Sequence, residues 1–214
     1  MVLLKGFLSL AEQQRIVDVI RGLGIGSGGF YTPSYETGHK LHCAQMCLGM
    51  NWNPRTARYE ETRAADGSTP PGLPDELCGL VQHALRSAMR ADKECGGLDD
   101  GMEPDVCLCN FYHGAGKMGL HQDKDESDRM LKRGSPVVSI SLGDSASFEY
   151  ADRIPAPGTR DRTRVVRLDS GDVLIFGGGS RMLFHGVARI LSGTRPDGLH
   201  IRQGRLNLTF RQSR

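Results

Sequence analysis

At 214 residues, with 38% hydrophobic and 24% charged positions, the chain is long enough for one domain with a substantial core, and too evenly mixed to be membrane-embedded or disordered. No apolar run reaches the roughly 20 residues of a membrane span, and the opening "MVLLKGFLSLAEQQR" lacks a signal peptide's basic leader and cleavage site, so a cytoplasmic location is expected. The formal charge of +2 conceals two unlike parts: residues 1–150 hold 15 Lys/Arg against 20 Asp/Glu, and residues 151–214 hold 12 Arg, no Lys and 5 Asp, a guanidinium-rich stretch suited to carboxylate or phosphate ligands, or else a solvated basic face.

In chain order the first predicted element is a helix. Ser9 and Glu12 have the spacing of a capping box, and Ile16, Val19, Ile20 and Leu23 recur on one face until Gly24. Residues 25–73 are rich in Gly, Pro and polar groups and too long for a plain connection, which predicts a lid or binding segment. A second helix is predicted over 74–91, where Leu77, Leu80, Val81, Ala84, Leu85 and Ala88 keep the helical period after Pro74. From residue 105 the pattern turns to short strands, "DVCLCNFY", "PVVSISLG", "SFEYAD", "RVVRLD", "DVLIFGG" and "HIRQGRLNLTFRQ", divided by Gly, Pro and Asp turns. Helices followed by many strands predict an α+β, mainly β fold, a sandwich or barrel, as a single domain over 1–214. Cys43, Cys47, Cys78, Cys95, Cys107 and Cys109 match no common zinc spacing and are expected as reduced thiols.

Three polar constellations sit on this frame. In "RLNLTFR", strand alternation sends Arg205, Asn207, Thr209 and Arg211 to one face and Leu206, Leu208 and Phe210 to the other. Two guanidiniums beside an amide would clamp a dicarboxylate, although any half-buried strand alternates in this way. Asn110 and Tyr112 share a face of "CNFYH" and offer an amide and a phenol to a carboxylate oxygen, or form a cross-strand polar pair. Finally, "LHQDKDE" concentrates carboxylates beside His121, as a solvated turn would. Read as a metal site, His121 and Asp123 need a third ligand, and His185 in "SRMLFHGV" offers one. Two imidazoles and one carboxylate make the facial triad that leaves positions open on iron(II).

"NFYHGAGKMGLHQDKDE", "PVVSISLG", "GDVLIFGGGSRMLFHGV" and "RLNLTFRQ", in that order through residues 105–213, resemble the AlkB family of iron(II)- and 2-oxoglutarate-dependent nucleic-acid demethylases. The resemblance implies a double-stranded β-helix, or jelly roll, closed on one side by N-terminal helices and topped by a nucleotide-recognition lid within residues 25–73. By position it implies that His121, Asp123 and His185 bind the iron and form the catalytic centre, that Asn110, Tyr112, Arg205, Asn207 and Arg211 hold 2-oxoglutarate, and that Asp125, with Glu126 next to it, lies over the substrate base. Trp52 and Tyr59 in "NWNPRTARYE" have the family's spacing for a base-contacting and a backbone-contacting aromatic, whereas a lone Trp is otherwise more often a core residue. The segment "ADRIPAPGTRDRTR" is longer than the family's, which leaves the substrate-facing arginine open among Arg153, Arg160, Arg162 and Arg164.

The implied activity is oxidative demethylation of N-alkylated bases, of the 1-methyladenine and 3-methylcytosine type, in single-stranded DNA or RNA. It consumes O2 and 2-oxoglutarate and releases formaldehyde, succinate and CO2. Because the methyl group lies on a base's pairing edge, such an enzyme takes the base unpaired or flips it from the stack, and Trp52 and His121 would then contact its two faces. A monomer acting on nucleic acid, away from membranes, is expected. Two other readings fit the same residues: the same chemistry on a protein or small molecule, and a non-catalytic β-sandwich that binds carboxylates or nucleic acid without iron.

Overall fold

The alternation of apolar and polar residues becomes two facing sheets in a computed structural model, which defines residues 1–34, 38–91, 98, 101–114, 116–156 and 163–214. In chain order the elements are β1 (Val2–Leu4), α1 (Leu10–Gly24), β2 (Ala44–Leu48), β3 (Asn51–Asn53), β4 (Arg58–Glu60), α2 (Asp75–Ala91), β5 (Val106–Tyr112), β6 (Met118–His121), α3 (Asp128–Arg133), β7 (Val137–Gly143), β8 (Ser145–Ala151), β9 (Arg164–Leu168), β10 (Val173–Phe176), β11 (Phe184–Leu191) and β12 (Arg205–Arg211). A larger sheet runs β1-β10-β7-β12-β5-β2 and a smaller one β6-β11-β8-β9, while β3 and β4 form a separate hairpin. These strand pairings are antiparallel. The result is the predicted jelly roll with helices on one side.

Strands β5, β7 and β12 are almost wholly buried, yet their two faces differ in chemistry. Leu206, Leu208 and Phe210, with Val138, Ile140, Leu142, Cys107 and Cys109, join the main apolar cluster, which also takes Ile16 and Ile20 from α1 and Val81 and Leu85 from α2. The alternate residues, Asn110, Tyr112, Arg205, Asn207 and Arg211 among them, line the space between the sheets. A side-chain period of two therefore sorts each strand into an apolar outer face, covered by the helices, and a polar inner face.

Helix α1 begins as predicted: the Ser9 hydroxyl accepts the Glu12 N–H, and the Glu12 carboxylate accepts the Ser9 N–H at 2.8 Å. Its buried face is rotated from the predicted one. Gln13, Ile16, Val17 and Ile20 are buried and Val19 only partly so, because the Gln13 amide can occupy a core position by donating to Leu8 O and accepting from the Ser170 hydroxyl. The described part of the 25–73 segment also contains strands that its composition does not predict. Strand β2 is an edge strand of the larger sheet, paired with β5 and with Met46 and Leu48 fully buried, and from this segment the β3–β4 hairpin, with Leu41, borders the space between the sheets. Elements β1, β6 and α3, of three, four and six residues, are too short to show a periodicity. Cys43, Cys47, Cys78, Cys107 and Cys109 are free thiols, as expected, and Cys95 lies outside the described residues. Among the described residues no helix is long and apolar enough to cross a membrane.

Leu85, fully buried on α2, fastens that helix to the sheet. Leu85→Ala should lower the unfolding free energy in urea by about 2–5 kcal/mol, whereas Ile25→Ala, at a residue 86% exposed, should change it by less than about 0.5 kcal/mol.

Candidate active site

Strands β6 and β11 run antiparallel with His121 opposite His185. They approach closely because position 186 has no side chain: a Cβ on Gly186 would lie 2.6 Å from Met118 O and 2.9 Å from Gly119 O. The two imidazoles face each other with 4.6 Å between ring centroids. Nδ1 of His121 is 2.9 Å from Gly119 O, and Nδ1 of His185 is 3.0 Å from Leu183 O. A proton on each Nδ1 donates to its carbonyl and leaves Nε2 as a lone-pair donor. Asp123 completes the group, with Oδ1 3.7 Å from His121 Nε2 and Oδ2 3.7 Å from His185 Nε2; the three ligand atoms lie within 4.8 Å of one another. Burial depresses the His185 pKa. Burial pushes the Asp123 carboxyl up, but the Arg211 guanidinium and the two imidazoles outweigh it and hold it well below the usual carboxylate range. An ionised carboxylate flanked by two imidazole nitrogens is a donor set for a divalent transition metal.

The same cavity, of about 420 Å³, contains an unsatisfied cation. Arg205 is fully buried; its Nη2 donates to Ser141 Oγ at 3.0 Å, but Nε and Nη1 have no partner. A guanidinium removed from water without a carboxylate is costly, and burial lowers its pKa accordingly. An anionic ligand would complement it. Strand register sets Arg205 opposite Tyr112 and Asn207 opposite Asn110. Gln45 Nε2 donates to Asn110 Oδ1 at 3.3 Å, which leaves the Asn110 amide N–H groups for the cavity. Burial raises the pKa of the Tyr112 hydroxyl, keeping it a donor.

Asn207 departs from its expected role. Its Nδ2 donates to Ser139 Oγ and Ile140 O at 2.8 and 2.9 Å, and its Oδ1 accepts from Thr209. Both amide hydrogens are used within the protein, so Asn207 braces β12 against β7. Arg211 is likewise engaged: Nη2 lies 2.6 Å from Asp123 Oδ2, Nε lies 3.2 Å from Glu126 Oε1, and Nη1 donates to the Tyr59 hydroxyl at 3.3 Å. One guanidinium thus links the Asp123 carboxylate, the loop after it and the hairpin above it.

Trp52 and Tyr59 are directly opposite each other on the β3–β4 hairpin, which explains their spacing. The Trp52 indole Nε1 donates to Asp125 Oδ2 at 2.7 Å, and Tyr59 meets Arg211, so the hairpin is fastened to the site at two points. Glu126 differs from the expectation that it stands with Asp125 over a substrate. Its side chain is 1% exposed and ion-pairs with Arg181 Nη2 at 2.8 Å as well as with Arg211; buried arginines on both sides draw the carboxylate inward. Arg181, which no sequence motif singles out, follows a 3-10 turn at Gly178–Ser180, donates Nε to Ser135 O at 2.8 Å, and donates Nη1 to the Asp123 carbonyl. An arginine after a run of glycines carries no signal of this. Gln45, the one polar residue in "CAQMCL", carries a faint one. Of the arginines considered for substrate contact, Arg153 and Arg164 are exposed and do not line the cavity, and Arg160 and Arg162 lie outside the described residues.

The profile of the 2OG-Fe(II) oxygenase superfamily matches residues 1–211. Over 99% of its length the chain is 49% identical to the DNA N(6)-methyladenine demethylase ALKBH1C of Arabidopsis thaliana, of which it covers 48%. Over 98% of its length it is 36% identical to the alpha-ketoglutarate-dependent dioxygenase AlkB homolog of Caulobacter vibrioides (strain NA1000 / CB15N), of which it covers 86%. It is also similar to the solved structure of OsALKBH1, with a TM-score of 0.87 and 48% identity over 99% of this chain and 97% of that one. The chain spans about half the length of the Arabidopsis relatives it matches.

Arg181→Gln leaves the buried Glu126 carboxylate short of a cation and should cost about 3–5 kcal/mol of stability. Adding Glu126→Gln should recover part of that loss, a coupling of about 0.5–3 kcal/mol by urea unfolding of the single and double variants; strictly additive losses would mean that the pair is not energetically linked.

Proposed function

The chain belongs to the 2OG-Fe(II) oxygenase superfamily, among the AlkB homologues, and from that premise we propose that it removes N-methyl groups oxidatively from unpaired bases of DNA or RNA. The observation that carries this is a conjunction in one cavity: His121, Asp123 and His185 suit a divalent metal, and the buried, unpartnered guanidinium of Arg205 lacks only an anion. His121, Asp123 and His185 would hold Fe(II). Arg205, Tyr112 and Asn110 would take one carboxylate of 2-oxoglutarate, and the Arg211 Nη–H groups not used by Asp123 and Tyr59 the other. Bound there, the metal and cosubstrate supply, with O2, the oxidation that turns an N-methyl group into formaldehyde, with succinate and CO2 as co-products.

The protein's own groups do the positioning. Arg211 occupies Oδ2 of Asp123, leaving Oδ1 for a metal, and the Nδ1 contacts of His121 and His185 hold each ring in the tautomer a metal needs. Trp52 and His121 both line the cavity and offer faces on which a base can stack, a contact worth about 1–3 kcal/mol. The Asp125 carboxylate favours the positive charge that methylation confers on 1-methyladenine and 3-methylcytosine. The Arabidopsis relatives support a second substrate, N6-methyladenine, an uncharged base whose exocyclic N–H suits the same carboxylate. We take the chain to act as a cytoplasmic monomer with one dioxygenase domain.

Incubation with Fe(II), ascorbate, 2-oxoglutarate and single-stranded DNA or RNA bearing each of these bases, followed by mass spectrometry of nucleosides and assay of formaldehyde, tests both substrates. Succinate formed with no base demethylated would assign the chemistry to a protein or small molecule, and the lack of a visible charge-transfer band on anaerobic addition of Fe(II) and 2-oxoglutarate would reduce the protein to a binding module. His185→Ala should abolish formaldehyde release. Arg205→Met should raise the half-saturating 2-oxoglutarate concentration at least about tenfold, while Fe(II) should still bind in the absence of the keto acid. Arg211→Ala should weaken both, since it also releases Asp123, and anaerobic titration separates the two effects.

A further inference from the structure

Trp52 is the chain's one tryptophan, and it is not a free platform. Its Nε1–H is held by Asp125 Oδ2 at 2.7 Å, its backbone N–H points to Cys47 Sγ at 3.4 Å, and its hairpin neighbour Tyr59 is held by Arg211. Asp125 is constrained from the other direction. Asp123, two residues before it, is tied to Arg211 and, through its carbonyl, to Arg181; Glu126, the next residue, is tied to both arginines. With the loop pinned on both sides, the main freedom left to Asp125 is rotation of its side chain, and the indole removes that. Among the described residues Asp125 Oδ1 has no hydrogen-bond partner, and both Trp52 and Asp125 line the cavity.

We propose that Trp52 and Asp125 act as one recognition unit, in which the indole N–H occupies one carboxylate oxygen and aims the other, so that the site selects bases presenting an N–H donor at the pairing edge over bases presenting a carbonyl oxygen there. The proposal rests on the reading above that the ligand is a nucleic-acid base. An ionised carboxylate can only accept. Opposite an amino group its free oxygen forms a charge-assisted bond; opposite a carbonyl two acceptors confront each other, and neither is satisfied. A carboxylate free to swing could turn away from that clash. Held by the indole it cannot, and discrimination comes from a bond that need not touch the reacting methyl group. Trp52 is thereby a positioning residue for Asp125 as well as a stacking surface.

A single tryptophan makes the bond directly observable. Asp125→Ala removes the acceptor, Asp125→Asn keeps an oxygen acceptor without the charge, and Trp52→Phe keeps an aromatic ring without the donor. Acrylamide quenching of tryptophan emission in the protein alone should rise about twofold or more in Asp125→Ala and stay near wild type in Asp125→Asn, since loss of the bond frees the ring. On single-stranded DNA, Trp52→Phe should lower the kcat/KM preference for 3-methylcytosine, with its amino edge, over 3-methylthymine, with its carbonyl edge, by about tenfold. Asp125 keeps its charge in that variant, so the change reports aim rather than charge. Quenching unaltered in Asp125→Ala, or equal loss on both bases in Trp52→Phe, overturns the proposal. A wild-type protein inactive on every methylated base overturns the demethylase reading itself, and this selection with it.

Discussion

Arg181, Arg205 and Arg211 are all buried, and the site is organised by how those three charges are met. A guanidinium taken out of water needs an anion near it. Arg211 has Asp123 and Glu126, Arg181 has Glu126, and Arg205 has none among the described residues. Two carboxylates therefore balance two of the guanidiniums, and the third remains uncompensated. A bound divalent metal would add further positive charge beside it. A dicarboxylate offsets most of that excess, which makes the protein's affinities for metal and for 2-oxoglutarate depend on each other through electrostatics.

So polar an interior is sustained by the opposite face of the same strands. Each inward arginine, asparagine or threonine on β12 alternates with a leucine or phenylalanine packed under α1 and α2. Apolar burial on that face, at about 25 cal/mol per Å², holds the sheet against the helices while its inner side carries hydrogen-bonding groups. The helices thus matter to the chemistry without contributing a residue to it. From the other side of the cavity, Phe148 of the small sheet and Phe176 at the end of β10 in the larger one pack on His185 at 5.8 and 4.9 Å between centroids and give that imidazole an apolar surround.

Strands such as β7 and β12 are legible in the sequence because seven consecutive buried residues in each leave the period of two uninterrupted. The His121, Asp123 and His185 group is legible because its residue types are few and its flanks distinctive. What stays hidden has physical reasons. The phase of α1 differs from its apolar pattern because Gln13 fills a core position through hydrogen bonds, which a scale of hydrophobicity does not register. Strand β2 lies in a stretch whose Gly and Pro content obscures five sheet residues. The actual use of Glu126, Asn207 and Arg181 depends on which groups the fold brings together across 46 residues or more, and pattern within one segment holds no trace of that.

Gly186 shows where the candidate metal site keeps its dimensions. The separation of the two imidazoles is set by backbone against backbone, with a hydrogen atom at position 186 as the spacer. Ligand geometry is then decoupled from the cavity wall. Cavity-lining residues elsewhere, such as Trp52 and Tyr59 on the β3–β4 hairpin, can change in size or chemistry without moving the two imidazoles apart.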